Sequence, residues 1–383
     1  MLEHAIMWHL YPLGATGADI RDTHAAGRGL SSLTPWLDYA VELGCDTILL
    51  APVFDSVSHG YDTLDHYRID DRLGGDAEFD TFMEACRARG LRVLLDGVFN
   101  HVAAGHPWVS QGLTTGRGWE GHDDLLELDH ANPQVADEVV AVMEHWLDKG
   151  ISGWRLDVAY AVPDEFWAEV TDRVRTRFPD AVFLGEVIHG DYGHELTAGH
   201  LDTVTQYELW KALWSSIKDG NFFELEHALN RHNTFLEAGP MQTFVGNHDT
   251  DRIASVVGDA GAGLAATLLL TLPGVPSIYY GDEQAFRGLR GEGFGADDAV
   301  RPELPASPAE LAGEGTWLHD RYQRLIGFRR RHAWLVSGRV EVTSVANEEI
   351  SYRVSSGEHW LNVTARVDGS VEMVADDGES LSF

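Results

Sequence analysis

The chain has 383 residues, 44% hydrophobic and 23% charged, the composition of a globular protein with one large core, or one large domain and a small one. Its formal charge of −33, with three lysines among 28 basic residues, speaks against nucleic acid and anionic membranes as partners, since both need a basic footprint. No apolar run reads as a membrane span. The opening "MLEHAIMWHLYPLG" lacks a basic segment, so it reads as a strand rather than a secretion signal, and a cytoplasmic protein is expected.

In chain order, short β-like runs alternate with amphipathic helical patterns. Strands are predicted at 5–12, 46–52, 91–97, 153–158, 181–187, 203–207, 241–246 and 277–281. Helical patterns fall at 33–43, 76–89, 134–148, 164–177 and 208–230, with a last helix at 316–332. Cys45 and Cys86 lie in apolar segments and read as structural free thiols. The basic run 329–331 closes the last helix, where cations suit the helix dipole. Eight strands with intervening helices predict an α/β fold, a (β/α)₈ TIM barrel over residues 1–334.

After Trp334 the pattern changes to period-2 alternation, in "GRVEVTSV", "EISYRV" and "EHWLNVTARVDGSVEMV". This predicts a small antiparallel β domain at 335–383, too small to stand alone and therefore packed on the barrel. Two loops are long, the insertion at 101–129 after strand three and 283–315 after strand eight. Both leave the C-terminal ends of strands, where barrel enzymes build their sites.

In "GISGWRLDVAYAVP", Arg155 and Asp157 are two residues apart and so share one face of a strand. A buried ion pair filling the core is one reading; a nucleophilic carboxylate beside a fixed guanidinium is the other. Other strands end in Asp96, Asn100 and His101, in Glu186, and in His248 and Asp249. A single Asp there often only caps the next helix. Four carboxylates converging on one barrel mouth need a function, because burying like charges together costs several kcal/mol. Glycoside hydrolysis uses such a set, with one carboxyl group as nucleophile or base and one as acid. Arg155 is expected to depress the pKa of Asp157. Glu186, with apolar neighbours and no basic residue adjacent in sequence, is expected to stay protonated.

The motifs "DGVFNH", "GWRLDVA", "GEV" and "FVGNHD", with "HGYDTLDHYRID" and "GVPSIYYGDE", resemble the signature regions of the α-amylase family of glycoside hydrolases. The resemblance runs in order from the first strand to about His332. It implies Asp157 as nucleophile, Glu186 as general acid/base and Asp249 as transition-state stabiliser. It further implies that Arg155 orients Asp157, that His101 and His248 hydrogen-bond the sugar, and that Tyr61 stacks beneath it. Asp96 and Asn100 read as scaffold. Asp62 and Arg301 resemble a pair that contacts the glucose at subsite −1 in α-glucosidase- and neopullulanase-like members, which would favour short oligosaccharides, the alternative for Arg301 being a solvated loop residue. "GWRLDVAYAVPDEFW" and "LLELDHANPQV" lean toward that neopullulanase-like branch.

The sequence departs from the family in three places. The insertion is short, and its Trp108 and Trp119 are either sugar platforms or, favoured slightly, a mini-core. No domain precedes strand one, although that branch often has one that completes a neighbouring subunit's cleft. Ile188 and His189 stand where an aromatic is common. Asn100 resembles a calcium ligand of secreted relatives, but six or more oxygen ligands cannot be assembled around it, so no obligatory metal or cofactor is expected. The expected activity is retaining hydrolysis of α-1,4 bonds in short malto-oligosaccharides. Transglycosylation, or action on other short α-glucosides, is the alternative, and a non-catalytic binding relative is disfavoured because all three carboxylates are present. The expected partner is a small-molecule α-glucan, with oligomeric state open.

Overall fold

The structure, a computed structural model, describes residues 2–21, 23–293 and 295–383. Eight parallel strands form the central sheet: β1 (Met7–Leu10), β2 (Thr47–Leu50), β3 (Arg92–Gly97), β4 (Gly153–Leu156), β5 (Val182–Gly185), β6 (Thr203–Val204), β7 (Gln242–Phe244) and β8 (Val275–Tyr279). Their order is β6-β5-β4-β3-β2-β1-β8-β7, and a parallel bridge between Thr205 and Gln242 closes the circle. The fold is the expected (β/α)₈ barrel, and every predicted strand is present.

Alternation along these strands makes two cores. Trp8, Ile48, Val93, Leu95, Trp154, Leu156 and Phe183 face outward into the large core beneath the helices. Met7, Leu49, Leu94, Leu184 and Val275 form a separate cluster. On β3 the inward column passes from Leu94 to Asp96, on β4 from Gly153 through Arg155 toward Asp157, and beside it from Leu184 to Glu186. The interior is thus apolar at one end and charged at the C-terminal end. A Cβ on Gly153 would stand 2.1 Å from the Val182 carbonyl oxygen, so glycine lets β4 and β5 approach beneath Arg155.

Apart from two single turns, Pro12–Ala15 and Pro107–Ser110, the helices are α1 (Thr34–Leu43), α2 (Gly75–Ala88), α3 (Pro133–Asp148), α4 (Asp164–Arg177), α5 (Tyr192–Ala198), α6 (Tyr207–Asp219), α7 (Phe223–Phe235), α8 (Ile253–Thr271) and α9 (Thr316–Arg331). The single helix expected at 208–230 is two. Gly220 adopts a left-handed φ of 59° that caps α6, and the Asn221 side chain accepts the Phe223 N–H at 3.2 Å. Sequence patterning did not assign α5 or α8. Among the described residues α8 is the one helix long and apolar enough to cross a bilayer, but residues 261–271 are all buried within the fold.

The basic run 329–331 works differently from the helix-end cations expected. Arg329 is buried and donates to the carbonyls of Leu270 (2.9 Å), Leu272 (2.8 Å) and Gly274 (2.6 Å), so it caps α8 rather than its own helix. Five antiparallel strands follow: β9 (Arg339–Val345), β10 (Glu349–Ser356), β11 (His359–Arg366), β12 (Val371–Ala375) and β13 (Ser380–Ser382). Their inner face, including Ile350, Tyr352, Leu361 and Val363, joins the large core. Both cysteines are free and buried.

Candidate active site

Register places the charged residues. Asp96 on β3 is opposite Arg155 on β4, and Arg155 is opposite Leu184, two residues before Glu186. Arg155, 3% exposed, sits among three carboxyl groups. Its Nη1 donates to Asp96 Oδ2 at 2.6 Å and to Asp157 Oδ1 at 3.2 Å, and its Nη2 lies 2.6 Å from Glu186 Oε1. Tyr61 Oη also donates to Asp96 Oδ2, at 3.0 Å. Glu186 accepts the Val158 N–H at 3.1 Å and the Tyr207 hydroxyl at 3.3 Å.

This geometry corrects the electrostatics expected from sequence. Glu186 does have a basic partner, supplied across the sheet rather than along the chain, and Arg155 is closer to it than to Asp157. Burial pushes the Asp157 carboxyl well above its usual range, and the charge of Glu186 adds to this, while Arg155 opposes both. Burial raises Asp96 as well, against Arg155. Three carboxyl groups around one guanidinium carry excess negative charge, which holding a proton relieves.

Asp249, with its side chain 35% exposed, is treated oppositely. Partial burial works against its charge, but His248 at 3.0 Å and Arg301 at 2.9 Å outweigh that and hold its carboxyl well below the usual range. Arg301 also donates to the His248 carbonyl at 2.9 Å and to Asp297 at 3.0 Å. It is buried, not solvated, and Asp62, which lines the cleft, accepts from the Ser58 N–H at 3.0 Å and the Ser58 hydroxyl at 2.5 Å.

The two histidines are buried beside Tyr61. His248 is fully buried, stacked between Tyr11 and Tyr61, and contacts the Tyr61 hydroxyl through Nε2. His101 Nε2 donates to the Tyr61 carbonyl at 3.0 Å and its Nδ1 accepts from Asn100 at 3.1 Å, so both ring nitrogens are engaged by protein. Burial lowers its pKa to about 4, leaving the ring neutral.

Above this floor opens a cleft of about 720 Å³, lined by Tyr61, Asp62, His101, Asp157 and Asp249. One wall is the insertion, an antiparallel sheet of His101–Ala103, Thr114–Trp119 and His122–Leu128. Its two tryptophans divide the roles. Trp108 is buried against His66 at 4.9 Å, as the mini-core reading expects. Trp119 lines the cleft, its ring parallel to that of His101 at 5.9 Å.

Sequence reasoning did not single out Glu120 or Asp297 in the cleft wall, whose placement depends on loop conformation. It also missed Val158, a β-branched residue at a φ of 49°, a strained backbone that aims its N–H at Glu186. No local signal marks it.

Carboxyl groups gathered around one arginine, at the C-terminal mouth of a (β/α)₈ barrel and beneath an aromatic wall, define the class of barrel enzymes that work through carboxylates. Within that class the chain belongs to the alpha-amylase family: the family's catalytic-domain profile, "Alpha amylase, catalytic domain", matches residues 18–117 and 119–335. A cyclomaltodextrinase of Geobacillus thermopakistaniensis is 29% identical over 370 residues, spanning 88% of this chain and 61% of that protein. An intracellular maltogenic amylase of Bacillus subtilis is 30% identical over 317 residues, 73% of this chain and 52% of its own length. The chain therefore spans little more than half the length of these relatives. Among solved structures, the cyclic alpha-maltosyl-(1→6)-maltose hydrolase of Arthrobacter globiformis superposes with a TM-score of 0.83 at 25% identity, covering 100% of this chain and 98% of that one.

Proposed function

We propose that the protein is a retaining α-glucan hydrolase that cleaves α-1,4-glucosidic bonds in short malto-oligosaccharides through a covalent glycosyl–Asp157 intermediate. The observation that carries this reading is the single buried guanidinium of Arg155 holding Asp96, Asp157 and Glu186 under a cleft that Asp249 also lines. The short-chain part rests on relatives named cyclomaltodextrinase and maltogenic amylase.

In the ligand-free arrangement Arg155 sits nearer Glu186, and burial favours the proton on Asp157. Catalysis needs the reverse. As the glycosidic oxygen replaces Arg155 as the partner of Glu186, the proton passes from Asp157 to Glu186. The Asp157 carboxylate then attacks the anomeric carbon while Glu186 protonates the departing oxygen. Water, deprotonated by Glu186, next attacks the same carbon, releasing Asp157 and restoring the proton to Glu186. Asp249, held ionised by His248 and Arg301, stabilises the positive charge that develops on the ring. Arg155 is a positioning residue, Tyr61 and Trp119 offer flat faces to the sugar, and His101 and His248 support Tyr61 from behind.

We read the chemistry as independent of any obligatory metal, because the six or more oxygen ligands that calcium takes cannot be assembled around Asn100 from the sequence. Cytoplasmic residence accompanies this reading, on the strength of the intracellular relative. The test is proton NMR of maltotriose and maltoheptaose digests after EDTA treatment. Initial α-anomeric product with glucose or maltose accumulating is expected. Initial β-anomer would overturn the retaining mechanism, and products longer than the substrate would replace hydrolysis by transglycosylation.

A further inference from the structure

On the face of the barrel opposite the cleft, α9 ends where the C-terminal sheet is clasped to it. The location is set by Arg330, which contacts the backbone carbonyls of His4 and Gly44, residues that precede β1 and β2. The next turn carries His332, 3% exposed. Its Nδ1 lies 2.9 Å from the Phe328 carbonyl oxygen. A carbonyl only accepts, so Nδ1 carries a proton and Nε2 is the ring atom left for another partner.

That buried Nε2 makes no hydrogen bond, and it points at Asp377 Oδ2, at 3.3 Å. Glu379 lies beside them, and one ligand atom from each of the three residues falls within 4.8 Å of the others. A ring nitrogen and two carboxylates facing one point call for a cation between them. An imidazole whose outer N–H is fixed on a backbone carbonyl is also how proteins orient a metal-ligating histidine.

We propose that His332, Asp377 and Glu379 bind a divalent first-row transition ion of the zinc type, with water completing its coordination. One imidazole nitrogen with two carboxylate oxygens suits such an ion better than calcium or magnesium, which take oxygen ligands. The ion ties the end of α9 to the turn between β12 and β13, far from the cleft, so it is structural. Arg331 competes for the same carboxylate, with its Nε 2.9 Å from Glu379 Oε2 and its Nη2 2.5 Å from Oε1. Removing that cation strengthens metal binding, whereas a site that is only an ion-pair network loses stability and gains nothing.

The test uses the full chain stripped with EDTA, titrated with Zn²⁺ by calorimetry and with Co²⁺ by visible absorption. One equivalent should bind and raise Tm, with turnover of maltotriose unchanged. Asp377→Asn, in an exposed turn, should weaken binding by roughly tenfold or more, as should Glu379→Gln, and His332→Gln should abolish it. Arg331→Gln should tighten it. Absence of stoichiometric binding overturns the proposal, as does full affinity in Asp377→Asn, which places the ion at other histidines. Weaker binding in Arg331→Gln also overturns it.

Discussion

At the scale of the residue, Arg155 governs the site because it is one cation shared by three buried carboxyl groups. A carboxyl whose folded pKa is raised stabilises the fold below its unfolded pKa, and that contribution is lost as pH rises through the folded value. Asp157 is raised, so at neutral pH it either holds its proton or carries its charge against burial, and both cost stability. Asp157→Asn is therefore expected to lower kcat by about three orders of magnitude or more while raising Tm at pH 7, read by maltotriose turnover and calorimetry. A fall in Tm, or near-normal turnover, contradicts the assignment. The Arg155–Asp157 adjacency is legible in the sequence because i and i+2 share a strand face. The Arg155–Glu186 contact is not, because it depends on the register between β4 and β5, which no local pattern specifies.

At the scale of the element, the insertion turns a barrel mouth into a walled cleft. Trp119 stacks on His101 on one side and faces the cleft, so Trp119→Ala should raise KM for maltoheptaose more than kcat falls. Equal KM values in variant and parent would remove the wall from substrate binding. The same element is anchored by buried neutral imidazoles: His66 Nε2 donates to the Val98 carbonyl at 3.0 Å and its Nδ1 accepts from His106 Nε2 at 3.1 Å. Burial lowers His66 to about 4 and His106 to about 3, against 6.5 for a free imidazole. Stability from such depressed groups is present above pH 6.5 and is lost as pH falls toward the folded values. For His66 alone the full loss is about 3 kcal/mol. Denaturant melts from pH 6.5 to 4 should show that slope, and His66→Gln should flatten it; an unchanged slope would contradict the account. Period and punctuation made the strands legible. The split of α6 from α7 at Gly220–Asn221 was marked by its residue types yet masked by the apolar period on both sides. Arg329 was readable as a helix-end cation, but its true partner, the end of α8, is set by packing.

At the scale of the whole molecule, a closed barrel and a five-stranded sheet share one core, and 61 acidic residues face 28 basic ones. Repulsion among surface carboxylates extends about 30 Å at 0.01 M salt and about 3 Å at 1 M. Tm should therefore rise by several degrees between 10 mM and 0.5 M NaCl. A fall would mean that surface ion pairs outweigh the net charge. The barrel was legible because eight apolar runs alternate with helical periods, and four carboxylates were legible because each ends a strand. Their protonation was not, since it follows from three-dimensional proximity to one arginine. The central claim is that Asp157 attacks the anomeric carbon. The most direct measurement is intact and peptide mass spectrometry after incubation with a fluorinated α-glucosyl fluoride, which slows release of a covalent intermediate. The account predicts the mass gain of one glycosyl unit on the Asp157 peptide, absent in Asp157→Asn. A label on Asp96, Glu186 or Asp249 instead would contradict it.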